Sequence, residues 1–163
     1  MAKTLPLANY IRHIAWAEPA LALSGAYGAQ YLGGLYPCEM CWWQRYPLMV
    51  AIGLGVLALC FEGGKSRALL GLAGLAIFVS GAIGAYHAGV EYGWWQGLTA
   101  CTASAVTGSN AQVLSQLWEV PLARCDVAPW SLWGISLAGF NALISVSCGV
   151  FIMAVALLRR RVK

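Results

Sequence analysis

Charge is scarce in this chain. Lys, Arg, Asp and Glu make up 10% of 163 residues, and only six of those residues are acidic. That is too little charge to solvate the surface of an ordinary soluble domain. No A-x-A cleavage site follows the first apolar stretch, whose length also exceeds a signal core, so the N-terminus is expected to stay on. What fills the space is apolar: 60% of the residues are hydrophobic and the mean hydropathy is +0.68. This balance points to an integral membrane protein.

Four stretches are long enough to cross a hydrocarbon layer, which takes about 20 residues as a helix. They run over about residues 14–36, 42–61, 68–86 and 130–158, and the last carries no charge. The expected fold is therefore an all-α membrane protein, a single domain built as a four-transmembrane-helix bundle. Glu18, Pro19, Ser24 and Gln30 interrupt the first stretch. Glu18 and Pro19 are expected near its start, where the interface hydrates them.

Eight of the ten basic residues (Lys3, Arg12, Lys65, Arg67, Arg159, Arg160, Arg161 and Lys163) fall at the N-terminus, in the 62–67 loop or in the C-terminal tail. Positive-inside bias then puts both termini in the cytoplasm and sends residues 37–41 and 88–129 outside. The net charge of +4 is explained by this asymmetry, so nucleic-acid binding is not invoked.

The same topology sorts the six cysteines. Cys38, Cys41, Cys101 and Cys125 fall on the outer, oxidising side, whereas Cys60 and Cys148 belong to spans and read as small packing hydrophobes. Cys38-Glu39-Met40-Cys41 is a CxxC between two apolar stretches. A disulfide in so small a ring contributes only about 2 kcal/mol by chain entropy and is readily reduced, which suits electron traffic.

In the long outer segment, Val113, Leu114, Leu117 and Trp118 share one helical face over residues 110–119, predicting a short helix in the membrane interface. Cys101 and Cys125 bracket it, and their disulfide would close a loop worth about 3.5 kcal/mol. Taken alone, that pair reads as structural. A CxxC on the same face of the membrane changes the reading, because thiolate attack could pass two electrons from one pair to the other. Zinc is the competing use of four cysteines, but 23 residues separate the second pair, unlike a zinc half-site, and no metal is expected.

Arg45 follows Cys41 at i+4. With the second span beginning near Cys41, this cation and the helix dipole both favour a Cys41 thiolate. The plainer reading of Arg45 is a side chain that snorkels to the headgroups.

Taken in order, Pro37-Cys38-Glu39-Met40-Cys41-Trp42-Trp43-Gln44-Arg45, Tyr86-His87-Ala88-Gly89-Val90-Glu91, Thr99-Ala100-Cys101-Thr102, Arg124-Cys125-Asp126 and Pro129-Trp130 resemble the bacterial disulfide bond formation protein B (DsbB) family over nearly the whole chain. The resemblance implies an inner-membrane quinone-dependent thiol oxidoreductase. It would reoxidise a periplasmic DsbA-like thioredoxin-fold oxidase, which attacks Cys101 of a Cys101–Cys125 disulfide. Cys125 then passes electrons to Cys38, Cys41 meets the quinone, and Arg45 helps to hold and polarise it. Ubiquinone is the first expectation and menaquinone the second. By the same resemblance His87 supports the quinone site; without it, His87 reads as an interfacial histidine.

Glu91 is expected to be solvated. Trp42, Trp43, Trp94, Trp95 and Trp130 read mainly as an aromatic belt, and Gly71, Gly74, Gly81, Gly84, Gly134 and Gly139 as helix-packing positions. Two alternatives remain open. A tetraspanin-like interaction protein would have four spans and structural disulfides but no use for the CxxC. A vitamin K epoxide reductase-type thiol oxidoreductase shares the CxxC logic but carries it late in the chain.

Overall fold

A backbone kept from water must satisfy its own N–H and C=O groups, and within one long apolar segment only a helix does so. The computed structural model describes residues 6–98 and 123–158, with side chains from Asn9 onward. Its apolar stretches form α1 (Pro6–Tyr31), α2 (Glu39–Leu59), α3 (Gly63–Glu91) and α4 (Leu137–Leu158). Both α3 and α4 are long and apolar enough to cross a membrane, with mean hydropathies of 2.1 and 2.2 over their best windows. The other two have spanning length, 26 and 21 residues, but carry charged and amide side chains of the site described below. Cys101 and the segment 110–119 lie outside the described residues.

Ile11, Ala15, Ala51, Ala58, Leu70, Ala73, Ile77 and Ile152 form a buried core drawn from all four helices. The closest approach is between α3 and α4. A Cβ on Gly81 would sit 2.6 Å from the Val146 backbone nitrogen, and one on Gly149 2.7 Å from the Gly74 carbonyl. Small residues at these crossings let the backbones meet. Gly71 has open space where its Cβ would be, so it does not serve that packing.

The expected fourth span starts with other structure. Ser131–Leu132 pairs antiparallel with Ile135–Ser136, joined by Trp133 and Gly134 at φ 53° and 78°. Positive φ at both central residues suits the twist of a two-residue hairpin, so Gly134 serves a turn rather than packing. Tyr92 ties this hairpin to the end of α3: its hydroxyl donates to Gly134 O and accepts from Ser136 N–H.

At the opposite end, Arg12 donates to the carbonyls of Ala58, Leu59 and Phe61. A cation placed on the last carbonyls of α2 satisfies groups that the helix cannot. Because α1 begins at Pro6, Glu18 stands twelve residues inside it. The expected hydration of Glu18 is corrected by burial: its Oε2 is shut from solvent and its Oε1 meets Ser145 Oγ.

Candidate active site

Cys38 is the N-cap of α2, where its extended backbone (φ −76°, ψ 175°) ends the incoming segment and its Sγ accepts the Cys41 N–H at 3.4 Å. The first turn of α2 brings Cys41 Sγ to 3.2 Å from Cys38 Sγ, with the Cys38 thiol donating. This hydrogen bond has opposite effects on its partners. It pushes Cys38 well above the ordinary thiol range and draws Cys41 below it; burial and the Glu91 charge oppose the Cys41 shift, while Arg45 adds to it. Cys41 is therefore the more acidic sulfur of the pair, with Cys38 as its hydrogen-bond donor.

The second outer segment returns to this point. Cys125 is fully buried, in one cluster with Cys38, Met40 and Val90. Its sulfur, Cys38 Sγ and a nitrogen of His87 all lie within 4.8 Å of one another. Cys38 and Cys125, from two segments, thus meet beside one imidazole, with Cys41 next to Cys38. Two thiols and an imidazole at this spacing are also a donor set that a soft cation accepts.

His87 is buried and its orientation is defined. Gln44 Nε2 donates to the Met40 carbonyl at 3.2 Å, and that places the same amide nitrogen 2.9 Å from His87 Nδ1. Nδ1 is then an acceptor, and the neutral ring carries its proton on Nε2. Nε2 faces Cys38 Sγ at 3.5 Å and Glu91 Oε1 at 3.8 Å. The Glu91 side chain is 3% exposed. Its expected solvation is overturned, because the last turn of α3 points it inward beside His87.

Arg45 does not snorkel. It is 5% exposed, donates from Nη1 to Gln30 Oε1 at 2.6 Å and from Nη2 to the Ala26 carbonyl at 3.2 Å, and lies over the rings of Tyr27 and Trp42. Among the described residues no carboxylate pairs with it. Neutral dipoles and ring faces hold the cation and leave its charge available to an anion nearby.

Cys41, Arg45 and His87 border a cavity of about 210 Å³. Its α1 wall is the stripe Glu18, Ala22, Gly25, Ala26 and Ala29, one helical face about 16 Å long at 1.5 Å per residue. Apolar side chains including Leu48, Leu137, Phe140 and Ile144 supply most of the rest, with Gln44, Asn141 and Ser145 as a polar strip.

Gln44, Glu91, Asn141, Ser145 and Glu18 were not singled out for the site from the sequence. A signal did exist for some of them: Asn141 and Ser145 are polar residues at i and i+4 in an otherwise apolar run, and Glu18 is a carboxylate in another. The tryptophans divide. Trp42 serves Arg45, and Trp95 stacks on Tyr86, donates to its carbonyl and covers Gly89. Cys60 is exposed and Cys148 packs at the edge of the core, both away from the sulfur cluster.

Comparison with known proteins places this geometry. The family described as disulfide bond formation protein DsbB matches residues 9–155. An uncharacterized protein of Rickettsia prowazekii (strain Madrid E) is 27% identical over 135 residues, which cover 81% of this chain and 78% of that protein. No solved structure matches.

Proposed function

The chain belongs to the disulfide bond formation protein DsbB family, a family of membrane thiol oxidoreductases, and from that premise we propose that it reoxidises a periplasmic DsbA-like thioredoxin-fold dithiol and delivers the electrons to a membrane quinone. The observation that carries this reading is the meeting of Cys125, Cys38 and Cys41. Disulfide exchange needs an attacking thiolate next to the sulfur it attacks, and here one sulfur, Cys38, neighbours both others.

The reaction follows as two exchanges and one oxidation. The partner's thiolate attacks Cys101 of a Cys101–Cys125 disulfide and breaks that bond; its second thiol then closes the partner's own disulfide and frees Cys101. Cys125, now reduced, attacks Cys38 of the Cys38–Cys41 disulfide, and Cys41 leaves as the thiolate. Return of Cys101 onto Cys125 releases Cys38 as a thiol. Each exchange forms one S–S bond and breaks one, so two electrons end on the Cys38–Cys41 pair.

A quinone, when bound, supplies an acceptor for two electrons and two protons that then leaves through the lipid. The cavity fits such a group on three counts: a mostly apolar wall, a cation held without a counter-carboxylate, and Cys41 opening onto the same space. Arg45 stabilises the negative charge on Cys41, His87 holds a proton on Nε2 facing Cys38, and Gln44 keeps that ring in its tautomer. Leu48, Phe140 and Ile144 exclude water.

The apolarity of α3 and α4 supports a bacterial inner-membrane location. Arg12 at the Lys65 end of the bundle and the cysteines at the other support four spans with cytoplasmic termini and periplasmic cysteines. The same placement supports reading residues 1–163 as one polytopic membrane domain. Ubiquinone remains the first choice of acceptor and menaquinone the second.

The test is quinol formation by the purified protein in detergent, supplied with a reduced thioredoxin-fold oxidase, for wild type and Cys41→Ser. Turnover lost in the variant supports the route. No turnover of wild type with either quinone class removes it and brings the interaction-protein reading forward.

A further inference from the structure

One polar line in the bundle runs on beyond the groups that the thiol chemistry uses. It starts at His87 and runs through Gln44 to Asn141, whose Nδ2 donates to Gln44 Oε1 at 2.9 Å and to the Ser80 carbonyl at 3.2 Å. The Ser80 carbonyl only accepts, so this bond fixes the Asn141 amide and turns Oδ1 the other way. There Oδ1 lies 2.9 Å from Ser145 Oγ, and Ser145 Oγ lies 2.9 Å from Glu18 Oε1. The line therefore ends on a carboxyl group in the middle of α1, and all its members border the cavity that Cys41 and Arg45 border.

Two features of this end bear on its chemistry. Ser145 has one hydroxyl hydrogen and two oxygen neighbours at hydrogen-bond distance, Glu18 Oε1 and Asn141 Oδ1. Both contacts are satisfied together when Glu18 carries a proton and donates to Ser145, while Ser145 donates to Asn141. The second oxygen, Glu18 Oε2, is buried with no hydrogen-bond partner. An ionised carboxylate would leave that oxygen charged and dry, a costly state; a carboxylic acid does not. Arg45, the cation of the cavity, is engaged by Gln30 and Ala26, eight residues or more further along α1 than Glu18.

We infer that Glu18 is the proton-holding group of the cavity, a carboxylic acid at its deep end that yields a proton when a quinone there is reduced and takes one back before the next turnover. This rests on the quinone reading above. The step balances. Oxidation of the Cys38 thiol and the Cys41 thiolate forms one S–S bond and releases two electrons and the Cys38 proton. The quinone takes those two electrons, that proton and the Glu18 proton. The proton that the partner's attacking thiol released on ionising refills Glu18, so the net change is partner dithiol and quinone to partner disulfide and quinol. His87, Glu91, Arg45, Cys41 and Tyr36 are the other titratable groups on the cavity wall.

The test compares wild type with Glu18→Gln and Ser145→Ala in three measurements: infrared absorption of the quinone-free reduced protein, binding of short-chain benzo- and naphthoquinones by quenching of tryptophan fluorescence, and quinol formation in a single turnover. Wild type is expected to show a protonated-carboxyl C=O stretch that E18Q lacks and that S145A shifts to higher wavenumber. E18Q is expected to bind quinone within about threefold of wild type while forming quinol at least about a hundredfold more slowly, the low end of what a positioned acid contributes. Wild type that binds quinone but shows no such band, or an E18Q protein that turns over at the wild-type rate, overturns the inference and leaves the quinone reading standing. Wild type that binds neither quinone overturns the quinone reading and the inference with it. Should E18Q fail to fold, the S145A band shift decides: an unmoved band overturns the assignment.

Discussion

Arg45 Nη1 lies 2.6 Å from Gln30 Oε1, so a buried cation on α2 is held by a neutral amide on α1. A carboxylate at position 30 would quench the charge, whereas the amide only orients it. The cation stays available to an anion forming at Cys41.

This arrangement separates quinone use from disulfide formation. In Arg45→Ala the quinone Kd should rise about tenfold, roughly 1.4 kcal/mol, while alkylation of free thiols still reports disulfides in the oxidised protein. Arg45→Lys should recover part of the loss, because an ammonium restores charge without the fork that meets Gln30 and Ala26. Parallel loss of quinone binding and disulfides would remove Arg45 from the role assigned to it.

The neighbouring sulfurs of Cys125 and Cys38 can be captured. In a Cys41→Ser, Cys101→Ser double variant, mild oxidation should join Cys38 to Cys125, detected by non-reducing electrophoresis after cleavage between the two segments. The opposite double variant, Cys38→Ser with Cys101→Ser, should give much less of a Cys41–Cys125 bond, since Cys38 is the sulfur that clusters with Cys125. Equal yields would contradict the order of transfer. Replacing the remote Cys60 or Cys148 should change neither outcome.

A pH dependence follows from the Cys38–Cys41 hydrogen bond. Cys41 is drawn below the usual thiol range, mainly by the Cys38 thiol, so it ionises at a pH where an unperturbed thiol, near 8.5, is still protonated. Alkylation of Cys41 in the reduced protein should therefore stay fast as the pH falls from about 8.5 towards neutrality, and decline only below its own pKa. Cys38→Ala removes the donor, moves the decline to higher pH and slows alkylation at neutral pH by up to about tenfold per unit of that move. Identical pH profiles for the two proteins would show that the hydrogen bond does not set the thiolate.

Packing between α3 and α4 has its own signature. A side chain on Gly81 would meet the backbone and side chain of Val146, so Gly81→Val should destabilise the bundle by about 1–3 kcal/mol. Gly71→Val, which enters open space, should change the thermal midpoint in detergent much less. Because Ser145 adjoins Val146, the Gly81 variant should also disturb the cavity, visible as weaker quinone quenching. Equal midpoints for the two variants would deny the close crossing.

The membrane character of this chain was legible because apolar composition acts over whole segments and tolerates local irregularity. The CxxC and Arg45 were legible for a different reason: a cysteine pair at the start of an apolar stretch and a cation one turn on stand out against an otherwise uncharged background, whereas His87 was legible only through the family resemblance. Glu91 was misread because residues at helix ends are usually hydrated, and only the packing of the last turn of α3 against the Cys38 segment excludes water there. Glu18 was misread as hydrated because a carboxylate near the start of an apolar run usually is, and only the packing of α4 against α1 shuts it from water.

The amino-acid sequence by itself determined that four apolar segments would form helices and that reactive sulfurs would cluster at one end of the chain's topology, since backbone hydrogen bonding in an apolar setting and the spacing of the CxxC are local matters. Only the tertiary structure decided which sulfur neighbours which, which proton His87 carries, and that Glu18, Ser145, Asn141 and Gln44, from three different helices, form one line into the same cavity. Those relations depend on helix crossings set by small residues such as Gly74 and Gly81. A crossing distance is a property of two packed surfaces rather than of either segment alone.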